Sequence, residues 1–118
     1  ARTRKEPELR GVKFLHCSAT EIPSKNNSFD TVFEFNTLHY IPQWHKVIRE
    51  VKRVLLKKGT FYVFDVGRWF VQTLHTLLIS RKLIQFSKQN VIKALVKENF
   101  KLRRIGGNDW VFFLQAEK

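Results

Sequence analysis

The sequence predicts an α/β domain built on a mostly parallel sheet and closed by an antiparallel hairpin. Three observations carry that prediction. Short apolar runs alternate with segments of helical periodicity, the order that parallel strands joined by helical crossovers require. The runs are apolar on both faces, as strands covered from both sides must be. Near the C-terminus two β-rich runs flank Gly106-Gly107-Asn108-Asp109, four residues of hairpin-loop type.

The elements follow in chain order. Residues 1–10 are charged, with Pro7 among them, and read as a helix tail and loop. Residues 12–17 (VKFLHC) read as a strand on which Cys17 is a small buried hydrophobe. Residues 23–28 carry turn chemistry, and Phe29–Phe35 (FDTVFEF) is a second strand, within which Glu34 is expected to be exposed or paired. Pro42 suits the first position of a helix whose apolar stripe is Val47, Ile48, Val51, Val54 and Leu55. Lys52, Arg53, Lys57 and Lys58 crowd its last turns, where positive charge complements the helix dipole, and Gly59 is the expected stop. Residues 61–66 (FYVFDV) form a central strand and residues 69–84 a helix. Ser87 caps the next helix, with Phe86 and Val91 placed as a hydrophobic staple and Val91, Ile92, Leu95 and Val96 as its buried face. Residues 100–105 and 110–116 make the hairpin.

Composition bounds the function. A chain of 118 residues fits a single domain with a real core. No run of about 18 uncharged apolar residues occurs, so no membrane span is implied. One cysteine excludes an internal disulfide framework and a Cys-based zinc site, and fits a reducing, cytoplasmic setting. His16, His45 and His75 show no metal-ligand spacing, so no metal is expected. The net charge of +12 would attract nucleic acid or other polyanions. Its Lys and Arg are scattered rather than gathered, which reads as a solvated basic surface with nucleic acid kept open as a partner. No methionine occurs, even at position 1, as expected of a fragment or a processed protein.

Five pieces in order carry a family resemblance. They are Val12-Lys13-Phe14 leading to Ser18-Ala19; Ile22-Pro23; Asn27-Ser28-Phe29-Asp30; Leu38-His39-Tyr40; and Arg49-Glu50-Val51-Lys52-Arg53-Val54-Leu55 before Gly59. Together they resemble the third strand, "D-A…L-P" loop, "S-F-D" strand entry, "L-H-H" turn and "R-E-x-x-R-V-L-K-P-G-G" helix of class I (Rossmann-like) S-adenosylmethionine-dependent methyltransferases of the type 11, UbiE-like group. The resemblance covers residues 8–66 strongly and 87–118 more loosely. It implies a Rossmann-like methyltransferase sheet in which residues 61–65 are the fifth strand and the hairpin is strands six and seven.

Departures from the family pattern are as informative. No G-x-G turn is present, and Gly106-Gly107 lies near the wrong end of the chain. Ala1-Arg2 is similar to the tail of the helix after strand two, so the chain is expected to begin mid-domain, with strands one and two missing. Ser18 stands where the family has an adenine-contacting acid. Lys58 and Thr60 replace Pro and the second Gly of the turn before strand five. Unpaired apolar strand edges are costly and prone to association. The sheet is therefore expected to be completed by the missing N-terminal segment or by a second copy in a homodimer.

The resemblance also implies a site. Ser18, Ala19 and Thr20 would lie near the adenine of S-adenosylmethionine, with Asn36 and Thr37 near its methionine end. His39 and Tyr40 follow the C-terminal end of a parallel strand, where α/β sheets place their ligands, and are the candidate catalytic pair. His39 suits a base because its pKa naturally lies near neutrality. Asp65, Arg68 and Trp69 are candidate substrate contacts, with Phe70, Arg81 and Lys82 in a segment suited to an aromatic or anionic acceptor or to a membrane surface. Asp30 is implied to have a structural turn role. The implied activity is methyl transfer to an acceptor the sequence does not identify. The competing reading is a non-catalytic methyltransferase-like fragment or a basic module that binds RNA.

Overall fold

The computed structural model describes residues 11–67 and 86–118. In these the elements run β1 (Phe29–Phe35), a 3-10 turn (Leu38–Tyr40), α1 (Trp44–Val54), β2 (Leu55–Val66), α2 (Lys88–Lys97), β3 (Lys101–Gly107) and β4 (Val111–Glu117). The four strands form one sheet in the order β1-β2-β4-β3. β1 and β2 are parallel, with Glu34 opposite Val63 and Phe35 opposite Phe64. β4 inserts antiparallel between β2 and β3. One of the three pairings is thus parallel and two are antiparallel, with the hairpin where the sequence places it.

The register sorts side chains onto two faces, because successive residues of a strand point oppositely. Phe61 and Val63 of β2 and Phe112, Leu114 and Ala116 of β4 are buried in one core with Leu38, Ile48, Val51, Val91 and Leu95. Burying a side chain of this size stabilises by about 1.5–3 kcal/mol, which makes this layer the main source of cohesion. The opposite face is aromatic. Phe33 stacks on Tyr62 with ring centroids 5.0 Å apart, and Phe64 lies 4.9 Å from Phe113. Phe33, Phe35 and Phe64 are exposed among the described residues.

Several sequence expectations are corrected. Residues 12–17 form no strand: they pair with no ladder among the described residues, and Val12, Phe14, Leu15 and Cys17 are exposed. A strand is a property of the ladder it joins, and among the described residues this run joins none. Helix α1 starts two residues after Pro42 and stops at Val54, so Leu55 to Lys58 belong to β2. The left-handed residue here is Lys58 (φ 66°), not Gly59, and it lies within β2 where the register with β1 shifts. Gly59 is needed for a different reason: a Cβ there would sit 2.8 Å from the Leu56 carbonyl oxygen. In α2, Ala94 is buried and Val96 is exposed, the reverse of the expected face at Val96. Ser87 does cap that helix, accepting a bond from the Asn90 N–H at 3.1 Å. The expected helix at 69–84 lies outside the described residues.

Candidate functional site

The C-terminal ends of β1 and β2 carry three buried polar side chains. β1 delivers Glu34, the 3-10 turn that follows delivers His39, and β2 delivers Asp65. Their relative exposures are 7%, 2% and 4%, on the face covered by the helices. The placement follows from register: Glu34 sits opposite Val63, so Asp65, two residues on, projects to the same side.

His39 Nδ1 is 2.7 Å from Asp65 Oδ1, and the Asp65 side chain has no exposed surface. Asp65 Oδ1 also accepts the Val66 N–H at 2.7 Å. A buried carboxylate at this distance holds imidazole as the tautomer with the proton on Nδ1 and stabilises its charged form. One oxygen of Asp65 is therefore committed to His39 and the Val66 N–H. Tyr40 lies over it with ring centroids 3.9 Å apart and is 61% exposed, so it forms the outer wall.

Glu34 uses one oxygen to build the turn that presents His39. Its Oε1 accepts from the Thr37 N–H at 2.7 Å, the Thr37 hydroxyl at 3.0 Å and the Leu38 N–H at 3.1 Å. These are donors at the start of the 3-10 turn, which otherwise has no side-chain cap. Burial, then the adjacent Asp65, push the Glu34 carboxyl up to about 7, against the lowering effect of those backbone bonds.

The residues expected near the cofactor divide into two groups. Ala19 and Thr37 line one cleft of about 380 Å³ beside the open edge of β1, with Ile22, Val32, Leu38 and Ile41. Ser18 and Thr20 do not line it; their hydroxyls are 2.7 Å apart and shape the turn locally. Asn36 adopts φ 55°, donates its N–H to the Phe64 carbonyl at 2.6 Å and borders a second, apolar hollow of about 290 Å³ with Phe35, Phe64, Asp65, Val66 and Val111. Arg68 and Trp69 lie outside the described residues. Among the described residues no group of three or more His, Cys, Asp or Glu is placed to hold a metal ion, and no helix is long and apolar enough to cross a membrane.

The loop bearing Ala19 is fixed by the "R-E-x-x-R" helix. Arg53 donates to the carbonyls of Ile22 and Ser24 at 2.9 and 2.8 Å and to Asn26 Oδ1 at 2.8 Å. It also grips both oxygens of Glu50, at 2.7 and 2.9 Å, while Glu50 Oε2 accepts the Ile22 N–H at 2.7 Å. The Arg53 contact holds the Glu50 carboxyl down at about 2.

A family model described as a methyltransferase domain matches residues 1–63, just over half of the chain. The chain belongs to that methyltransferase family. Over 64 residues it is 36% identical to demethylmenaquinone methyltransferase of Listeria welshimeri, covering 54% of this chain and 27% of that protein. It is 33% identical over 54 residues to a sterol 4-C-methyltransferase of Caenorhabditis elegans, covering 46% and 16%. It is 32% identical over 74 residues to the phthiotriol/phenolphthiotriol dimycocerosates methyltransferase of Mycobacterium leprae, covering 58% and 27%. The chain thus spans about a quarter or less of these relatives' lengths.

Solved structures show the same methyltransferase fold. A SAM-dependent methyltransferase from Aquifex aeolicus superposes with a TM-score of 0.71 at 20% identity, over 93% of this chain and 56% of that one. A SAM-dependent methyltransferase from Thermotoga maritima, described as a possible histamine N-methyltransferase, gives 0.73 at 19% identity, over 99% and 69%. The fold is the Rossmann-like methyltransferase sheet, and the cofactor of the family is S-adenosylmethionine. The cleft lined by Ile22, Val32, Leu38 and Ile41 brings together Ala19, expected at the adenine, and Thr37, expected at the methionine end of that molecule. The family's Gly-rich grip on the methionine end has no counterpart among these residues.

Sequence reasoning missed Glu34 as part of the site. Its one signal was an acid sharing the parity of Val32 on a strand whose other parity is aromatic.

Proposed function

We propose that this methyltransferase chain acts with S-adenosylmethionine on an apolar, lipid-like acceptor, and that His39 removes the acceptor's proton. The observation that carries the reading is the 2.7 Å contact between His39 Nδ1 and Asp65 Oδ1 at the carboxyl ends of two parallel strands. With Nδ1 protonated toward Asp65, Nε2 is the basic nitrogen of the ring.

S-adenosylmethionine, when bound, supplies a methyl group already activated on a sulfonium, so little covalent help is needed from the protein. Ala19 contributes to the wall that holds the adenine, and Thr37, on the same cleft, lies toward the methionine end. His39 Nε2 takes up the proton that the acceptor atom gives up as it bonds the methyl carbon, and Asp65 stabilises the resulting imidazolium. The exposed Tyr40 ring is the surface against which the acceptor lies. Asn36, Arg68 and Trp69 stay assigned to cofactor and substrate contact on family resemblance.

Two observations favour an apolar acceptor. The relatives are named for demethylmenaquinone, a sterol and phthiotriol dimycocerosates. The hollow at the strand ends is walled by Phe35, Phe64, Val66 and Val111. The test is transfer of a labelled methyl group from S-adenosylmethionine to a demethylated menaquinol by the full protein. A His39→Gln variant is expected to bind S-adenosylhomocysteine as the wild type does and to lose about 10²–10⁴ in turnover. Equal turnover in the two proteins would refute the role of His39.

A further inference from the structure

Two carboxyl groups with no cation between them lie side by side beneath His39. Glu34 comes from β1 and Asp65 from the neighbouring β2, on the same face of the sheet, with Glu34 set opposite Val63 two residues before Asp65. Each has one oxygen fully engaged: Glu34 Oε1 with Thr37 and Leu38, and Asp65 Oδ1 with His39 and Val66. The second oxygens, Glu34 Oε2 and Asp65 Oδ2, are buried and receive no donor among the described residues.

Two ionised carboxylates cannot share such a site, and buried acceptors without donors are costly. A single proton between Oε2 and Oδ2 removes both problems at once. Its place follows from the neighbours. Negative charge is best held on Asp65, against the imidazole. Glu34 has no cationic partner among the described residues. The titratable groups facing Glu34 are Asp65 from β2 and, through it, His39 from the turn. The carboxyl of Glu34 is also the one that burial shifts toward neutrality.

We infer that Glu34 stays protonated and donates from Oε2 to Asp65 Oδ2, making Glu34, Asp65 and His39 one relay in which Glu34 is a positioning residue. The inference rests on the reading of His39 as the proton acceptor and adds to it a built-in dependence on pH. With Glu34 protonated, Asp65 carries the only negative charge of the pair, against the His39 ring. Once Glu34 ionises, a second buried charge faces Asp65. The two carboxylates then repel, which disturbs both the Asp65 contact to His39 and the turn at Thr37 that borders the cleft. The relay thus links the base and the cofactor wall through one ionisable side chain.

The experiment is a pH titration of the full protein, without cofactor or acceptor, labelled with ¹³C at Glu carboxyl carbons and ¹⁵N at His rings. One Glu carboxyl, assigned through the backbone to Glu34, is expected to titrate near neutrality. His39 is expected to respond in the same pH range. In Glu34→Gln, whose amide can still donate to Asp65 but cannot ionise, that response of His39 should vanish while its Nδ1–H tautomer remains. If every Glu carboxyl titrates in the ordinary carboxylate range, or if His39 titrates identically in Glu34→Gln, the relay is overturned. Should Glu34→Gln fail to fold, the wild-type Glu34 titration alone decides. Because no substrate is present, a positive titration beside a failed methyl-transfer assay would sink the proposed reaction and leave the relay standing.

Discussion

The protonation of Glu34 has a thermodynamic consequence that can be measured without knowing the substrate. In the unfolded chain this carboxyl titrates at its ordinary value of 4.5, and in the folded protein at about 7. Below pH 4.5 it is protonated in both states, and its contribution to stability is fully present. As pH rises from 4.5 through about 7 the unfolded form ionises readily while the folded form resists, so stability is lost. Above about pH 8 the loss is complete. At about 1.4 kcal/mol per tenfold in proton affinity, the loss is at most about 3.5 kcal/mol, and relaxation around the neighbouring Asp65 brings it to about 1–3 kcal/mol. Urea unfolding of wild type and Glu34→Gln at pH 5 and pH 8 reads it directly. Carboxylates other than Asp65 titrate alike in both proteins, so the difference between the two isolates the Glu34–Asp65 pair. Gln is neutral throughout and mimics the protonated acid, so the variant should gain on the wild type as pH rises. For a domain of this size the relative gain is a midpoint shift of about 1 M urea or more. Midpoints that move in parallel in the two proteins would refute the buried, protonated state.

Two further predictions address the scaffold that presents the site. Arg53→Lys keeps the charge but cannot reproduce the planar fork that holds Glu50 and the carbonyls of Ile22 and Ser24. Faster tryptic cleavage at Lys25 with little change in helical circular dichroism is the expected result, and unchanged cleavage would show that the anchor does not hold the loop. Because Glu50 is held down at about 2, its contribution is present above pH 4.5 and lost as pH falls through about 2. Loop protection should therefore survive at pH 4. Gly107→Ala places a Cβ 2.4 Å from the Val111 carbonyl oxygen at φ +87°, costing about 2 kcal/mol or more and about 10 °C in Tm. Gly106→Ala, whose nearest neighbour is a Phe113 ring carbon at 3.8 Å, is the matched control and should change little.

Much of the architecture was legible because it is written locally. The hairpin announces itself through Gly106 to Asp109, the Ser87 cap through its side chain, and α1 through apolar residues at helical spacing. What failed depended on partners. Residues 12–17 look like a strand by composition, but composition does not supply the neighbouring backbone that makes one. The end of α1 was misplaced because Gly59 looked like a stop. The left-handed residue is instead Lys58, within β2, and Gly59 answers to the crowding of Leu55, Leu56 and Asp30. Such close approaches belong to tertiary structure and leave no trace in spacing.

The same limit explains why two residues of the polar site were visible and the third was not. His39 and Asp65 stand at strand ends, where the topology of parallel sheets predicts ligands, so position alone singled them out. Glu34 stands one residue inside β1, in a run that reads Val32, Phe33, Glu34, Phe35. By alternation the aromatic parity claims the core and pushes Glu34 outward. The structure does the opposite: Val32 and Glu34 face the helices, and the Phe residues lie on the aromatic face. In a sheet meant to be covered on both sides, both parities are interior, so apolar alternation cannot say which face a polar residue joins. Only register settles it, and here register sets Glu34 opposite Val63, two residues before Asp65. An acid flanked by aromatics on a parallel strand is therefore better read as a buried partner awaiting a second polar group than as a surface charge. The place to look for that group is the neighbouring strand, one pleat further toward its carboxyl end.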